Sequence, residues 1–168
     1  MTAQEIHDKL KNKFSDDIIE LNDAVLQPFI KVNPGKIDEI AEYLRDDSEF
    51  EFDYLSNLSG VDLGENVGVV YHLYSMKHNH KIVLKVDVPK DKADVKTVSM
   101  LWKTADWHER EAYDLLGINF VNHPDLRRIL LPEDWEGYPL RKDYVTPEFY
   151  NGLRVPYPQE QGDLYDEE

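Results

Sequence analysis

Residues 67–88 read VGVVYHLYSMKHNHKIVLKVDV. From Val67 to Met76, and again through Ile82, Leu84, Val86 and Val88, apolar residues recur at every second position, the period of a strand with one buried face. Between the two runs, Lys77-His78-Asn79-His80-Lys81 is a polar tip suited to a hairpin. Upstream, Phe50, Phe52 and Tyr54 alternate with Glu51 and Asp53 in the same period. Further out, Ala24–Val32 (AVLQPFIKV) reads as a strand that Pro28 demotes toward a sheet edge, because proline cannot donate to a ladder. Gly60, Gly64 and Gly68 mark a turn-rich stretch.

Helices flank the strands. Thr2 with Glu5 forms a capping box, and Ile6, Leu10 and Phe14 follow at helical spacing. Asn33-Pro34 is a second start, followed by Ile37, Ile40, Ala41 and Leu44 at i, i+3, i+4 and i+7. A third helix is expected from about Trp107 to Leu116, with Asp106 and Glu109 at its start and Gly117 just past its end. The expected fold is therefore α+β, a mainly antiparallel sheet with helices on one face. Residues 1–120 form the domain, ending in this helix.

Beyond Phe120 the character changes. Residues 121–168 carry six of the nine prolines and almost no periodicity. Trp135, Tyr138, Tyr144, Phe149, Tyr150, Tyr157 and Tyr165 are unusual in a solvated linker, and Tyr and Trp are favoured at interfaces. The segment reads as an extended, partner-bound C-terminal arm.

Composition narrows the function. A length of 168 residues fits one domain burying roughly 70% of its unfolded surface. The absence of cysteine excludes disulfides, thiolate zinc sites, Cys-ligated iron–sulfur clusters and cysteine nucleophiles in this chain. A net charge of −15 argues against nucleic acid and anionic lipid as partners. That charge is uneven, at −10 over residues 1–66, +2 over 67–128 and −7 over 129–168. Met1–Phe14 lacks a signal-peptide core and no apolar run approaches the roughly 20 residues of a membrane span, so the chain is expected to be intracellular, and soluble or held peripherally by a partner.

The motifs decline most chemistries. His108-Glu109-Arg110-Glu111 has Ala112 where a zincin needs its second His. On a helix, Glu109 and Glu111 point about 200° apart and form no catalytic dyad, whereas Arg110 and Asp114 are placed to pair at i and i+4. His78 and His80 have alternate spacing that suits a metal but no designated third ligand. His123-Pro124 with Arg127-Arg128 offers guanidinium groups for a phosphate, or for acidic protein surface. A metal-dependent hydrolase using His78, His80, His108, Glu109 and Glu111 stays open as an alternative of a different class.

The stretch from Trp107 to Tyr144 is more specific than any of these. Glu109-Arg110-Glu111, Asp114, Leu115-Leu116, His123 and Arg127-x-Ile129-Leu130 are followed by Glu136-Gly137-Tyr138-Pro139-Leu140-Arg141-Lys142-Asp143-Tyr144. This closely resembles the family of C-type subunits of proton-translocating NADH-quinone oxidoreductase, respiratory complex I, whose chloroplast and cyanobacterial counterparts are the J-type subunits. Asn122 stands where that pattern usually has Gly, and Tyr138 where His is common; Asn tolerates a left-handed turn.

The resemblance implies a structural subunit of the quinone-proximal peripheral arm with no catalytic, cofactor-binding or metal-ligating residue of its own. NADH, FMN, iron–sulfur clusters and quinone would be held by other subunits. The implied partners are a D-type subunit and adjacent cluster-bearing subunits, with membrane contact only through the complex, on the cytoplasmic side of a bacterial inner membrane. A related complex with another electron donor, such as a membrane-bound hydrogenase, is the runner-up. Glu109, Arg110, Glu111, Asp114, His123, Arg127, Arg128, Arg141, Lys142 and Asp143 would then be structural and interfacial.

Overall fold

The computed structural model describes residues 1–155. Three helices, α1 (Ala3–Phe14), α2 (Ile37–Asp46) and α3 (Lys103–Leu116), accompany a five-stranded sheet. Its strands are β1 (Ile18–Asn22), β2 (Phe29–Val32), β3 (Tyr54–Asp62), β4 (Asn66–Ser75) and β5 (His80–Pro89), ordered β1-β2-β5-β4-β3. Every pair is antiparallel except β2 with β5, which run parallel in the register Phe29↔Val83, Ile30↔Leu84. The sheet is thus mainly antiparallel, in an α+β fold.

The hairpin that organises it is the expected one. Val67, Val69, Tyr71 and Leu73 of β4 and Ile82, Leu84, Val86 and Val88 of β5 are buried, while Val70, His72 and Tyr74 between them are only partly covered. The inward set joins Ile6 and Leu10 of α1, Ile37, Ile40 and Leu44 of α2, and Ala105, Ala112 and Leu116 of α3 in one core. Each helix contributes one apolar stripe to the same face of the sheet.

Helix boundaries follow local chemistry at several ends. Thr2 and Glu5 make the reciprocal capping box. Asn33 accepts from the Gly35 N–H and opens a 3-10 turn, Pro34–Lys36, that runs into α2. Gly117 ends α3 in the left-handed region at φ +69°.

Three expectations need correction. The segment containing Pro28 is not an edge strand: β2 lies between β1 and β5, because Pro28 falls just before the first ladder residue and withdraws no needed N–H. The edge on that side is β1, which alternation does not reveal. Phe50 and Phe52 are fully buried but outside a strand, which starts only at Tyr54; Glu51, between them, has φ +43°. Gly60 and Gly68 are strand residues rather than turn residues. A Cβ on Gly60 would come within 2.5 Å of Leu116, so its absence lets α3 sit close against β3.

Two further short pairs complete the described chain: β6 (Asp94–Lys96) parallel to β7 (Asn119–Val121), and β8 (Phe149–Tyr150) antiparallel to β9 (Leu153–Arg154). Residues 122–148 contain no helix or strand. Tyr157 and Tyr165, part of the expected arm, lie outside the described residues.

Candidate functional site

Helix α3 begins at Lys103, four residues before the expected Trp107, so Asp106 is a first-turn residue rather than a cap. The helix is polar on its buried side: Glu109, Arg110 and Asp114 are at most 5% exposed. Such groups are tolerated in an interior only when partnered.

Asp114 is the centre of the arrangement. Its Oδ2 accepts from the backbone N–H groups of Ile129, Leu130 and Leu131 at 2.9, 2.6 and 3.0 Å. Its Oδ1 accepts from Arg128 Nη1 at 2.9 Å. Burial alone would raise the carboxyl, but the amides of Leu130 and Leu131, Arg128 and the amide of Ile129 outweigh it and hold the pKa below the ordinary value. Arg128 goes on to donate to the carbonyls of Trp135 and Gly137, both at 3.1 Å. One carboxylate and one guanidinium therefore shape the chain from 128 to 137.

The expected i, i+4 pair between Arg110 and Asp114 does not form. With Asp114 occupied by a segment 14 to 17 residues away, the Arg110 guanidinium lies over the Trp107 ring at 4.8 Å and reaches the Arg127 carbonyl and Asp125 at 3.5 and 3.9 Å. Arg127 itself is exposed and donates through Nε to both oxygens of Asp125. Arg127 is thus engaged by Asp125 and Arg128 by Asp114, so the guanidinium pair expected for a phosphate is occupied by the chain's own carboxylates.

Glu109 faces a different side. It accepts from the Val98 N–H at 2.7 Å and from the Thr97 hydroxyl. Burial raises its pKa to about 7 against the opposing pull of these two bonds, with Asp106 adding to the rise. His123 closes this pocket. The Asp125 N–H donates to its Nδ1, and its Nε2 lies 3.3 Å from Asp106 and 3.8 Å from Glu109. Asn122, just before it, has φ +68°, the left-handed conformation that admits Asn in place of Gly.

The second motif block returns to the end of α3. Arg141 Nε donates to the Leu116 carbonyl at 2.7 Å, satisfying a helix-terminal acceptor. The Arg128 and Arg141 guanidinium groups both lie over the Tyr138 ring, at 5.4 and 4.6 Å. A Cβ at Gly117 would lie 2.5 Å from the Tyr138 ring, so glycine there serves both the turn and the close approach. Lys90 bridges Asp62 and Asp143, and the bonds to Asp62 from Lys90 and from the Lys142 and Gly64 N–H groups hold its carboxyl far below the usual carboxylate range.

Glu111 alone of the ERE triplet is exposed; it borders a shallow groove with His108, Leu115 and Leu140. His108 accepts from the Leu58 N–H. His78 contacts Glu51 and the Ser48 carbonyl, and His80 contacts the Phe50 carbonyl. Among the described residues, no group of three His, Asp or Glu side chains is placed to hold a metal, and no helix is long and apolar enough to cross a membrane. Thr97, Asp62 and Lys90 are partners that no spacing in the sequence announces.

The C-type subunit of NADH-quinone oxidoreductase from Chloroherpeton thalassium is 48% identical over 88% of this chain, an alignment spanning 63% of that protein's length. Its counterpart from Chlorobium phaeobacteroides is 43% identical over 90% of the chain and 93% of its own length. A solved trypsin-resistant fragment of Nqo5 superimposes with a TM-score of 0.61 at 26% identity, covering 75% of this chain and all of the fragment. The respiratory-chain NADH dehydrogenase 30 Kd subunit family matches residues 30–150, and with Asp114, Arg128 and Arg141 inside that match the chain belongs to this family.

Proposed function

We propose that this chain is the C-type subunit of a proton-translocating NADH-quinone oxidoreductase and that it serves the complex as a structural component. One observation supports this most strongly: the buried Asp114 carboxylate is fully engaged by the chain's own Arg128 and three amides. A carboxylate so occupied has little capacity left for substrate, but it holds residues 128–137 in one shape. That segment and α3 present Trp107 and Leu130, each more than half exposed, to a neighbour, and Leu140 lies exposed just beyond them. The neighbours fitting this reading are a D-type subunit and cluster-bearing subunits on the cytoplasmic side of the membrane, with residues 121–168 as the partner-binding arm. Electron carriers, from NADH and FMN through iron–sulfur clusters to quinone, belong to other chains.

Arg110→Gln tests it in a strain carrying only the variant. Less complex should assemble, while quinone reduction per assembled complex stays near wild type. Full assembly with lost turnover would overturn the structural role.

A further inference from the structure

The helices cover one face of the five-stranded sheet and leave the other open. On the open face Phe29, Val83 and His72 lie side by side across β2, β5 and β4, with Lys81 beside Tyr74 on one flank and Lys85 beside Val70 on the other. The loop between β1 and β2 leans over this row: Leu26 is fully exposed, Val25 is exposed, and both line a groove with Phe29, Val70 and Lys85. A second groove of about 300 Å³ continues from it past Pro28, Ser56, Tyr74 and Lys81, sharing His72 and Val83.

Glu20 stands opposite Lys31 on this face, yet the part around Lys81 and Lys85 is cationic in a chain whose net charge is −15. Lys31 pairs with Asp87, but the Lys85 ammonium lies over the Phe29 ring at 3.7 Å, and among the described residues no carboxylate is bonded to it or to Lys81. Both lysines lie near enough to His72 that they add to the effect of its burial in keeping the imidazole neutral. An apolar trough between two cations suits an anionic occupant carrying an apolar side chain.

We propose that the open sheet face docks an acidic segment of another protein chain, seating an apolar side chain between Pro28 and Tyr74 with carboxylates opposite Lys81 and Lys85. A second copy of the same face would set lysine against lysine. Anionic membranes are recognised by clusters of about four to eight cations, more than this face offers, and the overall negative charge opposes approach to a bilayer. The inference rests on the subunit reading only for where the partner resides.

The test places the photocrosslinker p-benzoylphenylalanine at Ser56 in the groove and, in a separate strain, at Leu130 on the signature segment. Cells are irradiated, the chain is purified, and crosslinked peptides are sequenced. The Ser56 probe should capture an Asp/Glu-rich segment of another protein, and adding Lys81→Glu with Lys85→Glu should lower its yield about tenfold. Capture of a lipid, of a second copy, of a neutral or basic segment, or of nothing would overturn the proposal, as would a yield indifferent to the charge reversals. If Leu130 captures subunits of the oxidoreductase while Ser56 captures no acidic segment, this inference alone fails. If neither the Leu130 probe nor co-purification finds such subunits, it is the subunit reading that fails.

Discussion

Around α2 the interior is hydrocarbon, with Ile37, Ile40, Ala41 and Leu44 against the inner face of the sheet. Around α3 it is hydrocarbon on one side and carboxylate on the other, with Glu109 and Asp114 fully buried. The first region is held by non-directional burial, which a similar side chain can reproduce. The second depends on specific acceptors aimed at specific donors, and losing one partner strands the others away from water. Glu109, Arg110 and Asp114 of the motif lie in the second region.

Asp114→Ala should have the largest effect. It leaves Arg128 and three amides without their acceptor, and the expected loss is about 4 kcal/mol in urea denaturation of the full chain. Limited proteolysis should show cleavage within 128–137 before the sheet opens. A loss below about 1 kcal/mol would erase the distinction between the two regions.

Glu109→Gln sharpens the same contrast through pH. The folded-state pKa of about 7 lies above the ordinary 4.5, so the folded protein binds the proton more tightly than the unfolded one. Stability from this group is fully present below about pH 4.5 and is lost as pH rises through about 7, a swing of about 3 kcal/mol. Gln keeps the acceptor for Val98 and cannot titrate. Wild type should therefore lose stability relative to the variant as pH rises across this window, and a difference independent of pH would show that burial does not hold Glu109 protonated.

Ile40→Val should be the mildest change, about 1 kcal/mol, since it removes one methylene from a fully buried site that can partly relax. A thermal melt showing a loss as large as that of Asp114→Ala would mean that the apolar region is no more forgiving than the polar one.

The β4–β5 hairpin, the capping box at Thr2, the stripe of α2 and the stop at Gly117 are all legible, because each is written in the spacing of neighbouring residues. The signature is legible as a pattern, though not as an arrangement. Helical geometry alone pairs Arg110 with Asp114, but helix geometry does not weigh competitors, and three amides with an arginine from a returning loop displace that contact. The start of α3 escapes the sequence for a related reason: Asp106 has the composition of a cap, yet its carboxylate faces His123.

Residue order alone is enough for the α+β class, the buried stripes, the missing cluster ligands and the family pattern, since local periodicity and composition carry those. It is silent on the parallel pairing of β2 with β5, on β1 as an edge strand, and on the Asp62 bond to Lys142, whose partners stand 80 positions apart. Those contacts depend on where the chain comes back to itself. A strand's alternation says which face is buried without saying beside which strand, and a carboxylate's sequence neighbours do not reveal which donors packing will bring to it.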